Sequence, residues 1–119
     1  MTAKRKQNRT AACDALFGKI IRSRGVCAAC GQTWDLQCAH GFSRRYRALR
    51  WEEDANFCLC RGCHMKYTHR PLEWDEWLKE RWGEDRYWEL RNIALTHPNP
   101  DLDETHARLK ATWEGLEAA

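Results

Sequence analysis

No stretch of this chain stays apolar for the roughly 18 residues that a membrane-spanning helix needs. The first nine residues, Met1 to Arg9, are polar and basic, and no apolar run stands behind them to make a secretory leader. There is no internal repeat and no low-complexity tract. These absences set the expectation of a cytoplasmic protein with no membrane partner. An even set of cysteines is missing too, since there are seven. An odd count without an export signal argues against a disulfide framework. Metal ligands together with a few buried free thiols account for it better.

At 119 residues the chain is long enough for one domain. A core at this size is modest, so a metal staple would help it. Charge is unevenly spread. Residues 1–70 hold 14 Lys/Arg against 5 Asp/Glu, and residues 71–119 hold 6 against 12; these halves, +9 and −6, give the net +3 of the whole. A basic half beside an acidic half points to a polyanionic partner for the first half alone.

The pattern along the chain divides it into a basic flexible arm (1–9) and a single domain (10–119). Within the domain, 10–25 reads as an N-terminal helix. Cys13, Leu16, Phe17, Ile20 and Ile21 form one apolar stripe, and Gly25 supplies a stop. Residues 26–70 are short, turn-rich segments that hold six of the seven cysteines. Leu36–His40 and Asn56–Cys60 read as paired short strands, followed by a helix from about Arg61 that carries His64. Residues 71–119 read as a helical extension of three helices, with Pro71 in a first turn, a break at Gly83 and another at His97-Pro98-Asn99-Pro100. Trp74, Trp77, Trp82, Trp88 and Trp113 lie at helical spacing and are expected in the core.

Two Cys-x-x-Cys pairs stand out, Cys27/Cys30 and Cys60/Cys63. Each can grip a tetrahedral metal from a tight turn. Four thiolates leave no open position, which describes a structural zinc and not a catalytic one. The 29 residues between the pairs exceed usual zinc-ribbon spacing and suggest a functional insertion held between two anchors. Cys13, Cys38 and Cys58 are read as small buried apolar residues.

His40, Asn56 and His64 lie in order between and after these pairs. The stretches Leu36-Gln-Cys-Ala-His40, Ser43-Arg44, Leu49-Arg-Trp51, Asn56 and Cys60-Arg-Gly-Cys63-His64 together resemble the HNH (His-Me finger) endonucleases. They are most similar to the phage NinG (Rap-like) recombination nucleases, as is Pro71-Leu-Glu-Trp-Asp-Glu-Trp-Leu78. The resemblance covers residues 26–95 and implies an α+β fold, a small zinc-bound ββα-metal core flanked by helices. It implies that His40 is a general base, that Asn56 braces the loop between the strands, and that His64 holds a divalent ion, Mg2+ or Mn2+. It implies DNA as the partner, with branched recombination intermediates as a substrate class; RNA stays open. A homodimer through the acidic half is an expectation by analogy alone. The sequence departs from many HNH proteins at Ala39, where they carry an acidic or His metal ligand. His69 and Asp54 are candidate replacements.

Arg44, Arg45, Arg47 and Arg50 follow the base directly, where a scissile strand must lie, and guanidinium groups match phosphate. Arg44 is expected nearest the reaction, and Arg50 is expected to pair with Glu52 or Asp54. The basic arm, Lys19, Arg22 and Arg24 could extend the track. Two other readings remain: a non-catalytic zinc-stabilised nucleic-acid-binding module, and a protein adaptor using the Trp-rich acidic helices.

Overall fold

Two five-residue strands, β1 (Leu36–His40) and β2 (Asn56–Cys60), pair antiparallel in the computed structural model, which describes residues 1–119. Their register sets Leu36 opposite Cys60 at one end and His40 opposite Asn56 at the other. Six helices surround this sheet, making an α+β fold. No helix is long and apolar enough to cross a membrane.

The chain opens with α1 (Ala3–Arg22), so the expected flexible arm at 1–9 is corrected. Its Ala, Lys, Arg and Gln residues are strong helix formers. The Thr2 hydroxyl caps the first turn, accepting from the Arg5 N–H at 3.2 Å. A loop leads to β1. The short α2 (Arg47–Arg50) and a 3-10 turn (Glu53–Ala55) then lead to β2. The next helix, α3 (Arg61–Thr68), starts directly from β2 with Cys60 as its cap. Pro71 stands at the start of α4 (Pro71–Trp82), which stops at Gly83 where φ is 83°. The last two helices are α5 (Glu84–Thr96) and α6 (Leu102–Ala118). Asp101 caps α6, accepting from the Glu104 N–H at 2.9 Å.

β2 is buried along its whole length, and its alternation divides the core in two. Cys58 joins Cys13, Phe17, Ile20 and Ile21 of α1, Leu102 and Leu109 of α6, and Trp51. Phe57 and Leu59 join Leu78 and Tyr87, with Trp74, Trp77 and Trp82 packed alongside. Residues 71–119 are therefore not an outlying extension. α4 covers one side of the sheet, while α6 crosses to hold α1 on the other.

The tryptophans divide differently from the expectation. Trp74 and Trp77 stack at 4.9 Å, both edge-on to Phe57, and Trp113 packs on the first cluster. Trp88 is instead half exposed, flanked by Lys79 and Arg91 over its ring. The largest fully buried side chain is Trp51. Cys13 and Cys58 are buried as expected, and Cys38 is partly buried, its thiol pushed up to about 11 by burial.

Candidate active site and metal centre

The four sulfur atoms of Cys27, Cys30, Cys60 and Cys63 lie within 4.8 Å of one another. Cys30 and Cys60 Sγ are 3.7 Å apart. A zinc tetrahedron with bonds of about 2.3 Å has edges of roughly 3.8 Å, so the donor set suits that ion. Local backbone builds the cluster. The Gly31 N–H closes the first turn onto the Cys27 carbonyl at 2.9 Å, with Gly31 at φ 83°. The Ala28 N–H donates to the Cys58 carbonyl at 2.8 Å, tying this turn to β2. Burial raises the Cys27 thiol pKa, but backbone N–H bonds around it outweigh that and bring it to about 6. The cluster therefore ties the turn at Cys27–Cys30 to the junction of β2 and α3.

At the far end of the sheet, His40 Nδ1 and Asn56 Oδ1 are 2.9 Å apart. Asn56 is only 2% exposed, and its other bonds fix its orientation. Its Nδ2 donates to the Leu49 carbonyl at 2.9 Å and to the Glu52 carbonyl at 2.7 Å, while Oδ1 also accepts from the Gly41 N–H at 3.2 Å. Oδ1 can only accept, so His40 Nδ1 must carry the proton. That tautomer leaves Nε2 with a free lone pair. Phe17 stacks against the imidazole at 6.2 Å. Burial lowers the His40 pKa; the Asn56 bond partly restores it, and Arg50 and Arg44 lower it further. The ring is therefore neutral near pH 7. Gly41 leaves no alternative here, because a Cβ would stand 2.3 Å from the Ala55 carbonyl oxygen and 2.8 Å from Trp82.

His64, on α3, holds Gln37 Oε1 with Nδ1 at 2.7 Å, and burial lowers its pKa as well. Its Nε2 is left without a partner, so this nitrogen could hold a metal ion while Gln37 orients the ring. His40 and His64 both line a cleft of about 330 Å³ with Ser43, Tyr67 and Trp74. Both also line an adjoining cleft of about 480 Å³ walled by α1, with Arg22 and Arg44. The two histidines thus stand where the clefts meet.

The arginines fall into two groups. Arg22 and Arg44 make no ion pair and no side-chain hydrogen bond, and both face the second cleft. Arg47 lies across the Trp51 ring and donates to Thr10, and Arg45 lies over Tyr46. Arg50 is corrected. It pairs not with Glu52 or Asp54 but with Asp14, through Nε at 3.0 Å and an end nitrogen at 2.6 Å, with 11% of its side chain exposed. Asp14 also accepts from Trp51 Nε1 at 2.9 Å. Arg24 is likewise structural, donating to the carbonyls of Asn56 and Glu53. Glu52 and Asp54 pair instead with Arg108 and Arg86. Lys19 lies over the Trp113 ring.

His69 caps the end of α3 and lines neither cleft. The four cysteines are the one cluster of three or more His, Cys, Asp or Glu groups placed to share an ion. Asp14, Gln37 and Gly41 were not singled out from the sequence. Gly41, next to His40, was the most findable of them. Compared with known proteins, the chain matches no family model, no curated protein and no solved structure.

Proposed function

We propose that this protein is a metal-dependent DNA endonuclease in which His40 is the general base. The observation that carries this reading is the Asn56 network, which accepts from His40 Nδ1, holds the proton of the neutral ring there and leaves Nε2 free on a residue lining a cleft with His64, Arg22 and Arg44. Phosphodiester hydrolysis needs an attacking hydroxide, and a neutral imidazole can take the proton from water, typically worth 10²–10⁴-fold. Arg22 and Arg44 have the charge to seat the phosphate and favour the more negative transition state. A divalent ion at His64, when bound, supplies charge neutralisation at the phosphate and the leaving oxygen. The protein offers that ion one nitrogen, oriented by Gln37, with Ala39 buried beside His40 where many HNH proteins carry a ligand. This suits an ion such as Mg2+ that keeps waters and takes substrate oxygens. The four-cysteine zinc is a scaffold in this scheme and takes no part in the reaction. Branched recombination intermediates are the substrate class that the HNH and NinG-like resemblance suggests.

The single-nitrogen donor set also favours a second reading, a zinc-stabilised module that binds nucleic acid without cutting it. His40→Ala separates the two. Cleavage of linear, nicked, flapped and four-way DNA with Mg2+ or Mn2+ is expected in the parent and lost in the variant, with zinc content unchanged. A zinc-loaded His40→Ala protein that cuts as fast as the parent removes His40 from the role of base.

A further inference from the structure

The cleft that holds the two histidines does not end at Arg44. A second trough of about 440 Å³ continues from it, lined by Lys6, Thr10 and Arg47, and the two share Asp14 and Arg44 as walls. One face of α1 floors both. Lys6, Thr10, Asp14, Gly18 and Arg22 follow at four-residue spacing, so they form a single ridge about 24 Å long. The only acidic residue along it, Asp14, is neutralised by Arg50. Lys6, Arg22, Arg44 and Arg47 carry no carboxylate partner. Thr10 holds the Arg47 guanidinium at 3.2 Å, so that charge is positioned over the trough.

Gly18 is the irregular residue of this ridge. Glycine in mid-helix is unfavourable relative to alanine. Here a Cβ would stand 2.8 Å from an end nitrogen of Arg22, so the missing side chain is where the Arg22 guanidinium folds back along α1.

We propose that a DNA strand lies along this face of α1, its phosphates held by Lys6, Arg47, Arg44 and Arg22, with Gly18 as the positioning residue that seats Arg22. This rests on the nucleic-acid reading above and adds a path to it.

The test is duplex binding by the zinc-loaded His40→Ala protein, which separates binding from cleavage. With four cations engaged, log K against log salt falls with a slope of about −3.6, at about 0.9 per phosphate neutralised. Lys6→Ala and Arg47→Ala each flatten the slope by about 0.9. Arg91→Ala, over Trp88 and outside the trough, leaves it unchanged. Gly18→Ala melts no lower than its parent but displaces the Arg22 guanidinium and loses part of the affinity that Arg22→Ala loses, and the double variant loses no more than Arg22→Ala alone. Slopes that ignore Lys6 and Arg47, or fall equally with Arg91, overturn the path. Gly18→Ala binding like its parent overturns the role of Gly18. Parent protein that fails to cut while these shifts appear removes the nuclease reading and supports the path. Cutting without the shifts retains the nuclease and overturns the path.

Discussion

Asn56→Ala is the perturbation that bears most directly on the site. It removes five hydrogen bonds, but their losses differ. The Gly41 N–H keeps a bond to the Ala55 carbonyl at 3.1 Å. The carbonyls of Leu49 and Glu52 keep the N–H groups of Glu52 and Ala55, each at 3.1 Å. His40 Nδ1 is left without its partner, and the Arg50 carbonyl loses a long bond of 3.4 Å. At about 1 kcal/mol per net bond, with extra for the orphaned donor, the cost is about 3 kcal/mol. For a domain of this size that lowers Tm by roughly 10–15 °C. The proposed chemistry adds a second effect. Without Oδ1 to hold the proton on Nδ1, the imidazole also populates the other tautomer, and Nε2 is then occupied. Cleavage at a temperature where the variant stays folded should fall by about 10² or more, with zinc content unchanged. The assays are calorimetry, metal analysis and initial cleavage rates on the same preparation. A variant that melts with the parent and cuts at the parent rate refutes both the brace and the tautomer argument.

Removing zinc should unfold the protein, because an apparent binding free energy of about 10–16 kcal/mol is comparable to the whole stability of a domain. Circular dichroism during chelator titration should lose helix in step with metal release; retained helix after full release refutes this. Asp14→Ala should cost about 2–3 kcal/mol, since it leaves the mostly buried Arg50 and the Trp51 indole unpaired, and denaturant midpoints read this directly. An unchanged midpoint would mean the pair adds nothing. His40 is held neutral by burial, so its folded pKa lies below its unfolded value. The unfolded chain takes up a proton first as pH falls, and stability therefore drops below about pH 6.5. Cleavage should fall on the same acid side and stay level from about pH 7 to 8; a rate still climbing through that interval contradicts a neutral base.

What could be read from the sequence was local. The cysteine pairs announce themselves because three-residue spacing fits a turn around one ion. Both strands and the helices at Arg61, Pro71 and Glu84 follow from short-range patterns and stop signals. The arm at 1–9 was misread because its charge suggests solvation, while the Thr2 cap and the intrinsic preference of Lys, Arg and Gln make helix. Asp14 was invisible as the partner of Arg50, because 36 residues separate them. Gln37 looked like an ordinary strand residue until α3 brought His64 against it. Whether a tryptophan is buried depends on which helix faces it, which periodicity alone does not state; Trp88 shows the limit.

The last helix, α6, supplies no residue to either cleft beside His40. Yet Leu102 and Leu109 clamp the apolar side of α1, and the opposite side of α1 is the wall that carries Arg22. Damage near the end of the chain should therefore register at the site as a wall that swings away, with His40, His64 and the four clustered cysteines still in their own places.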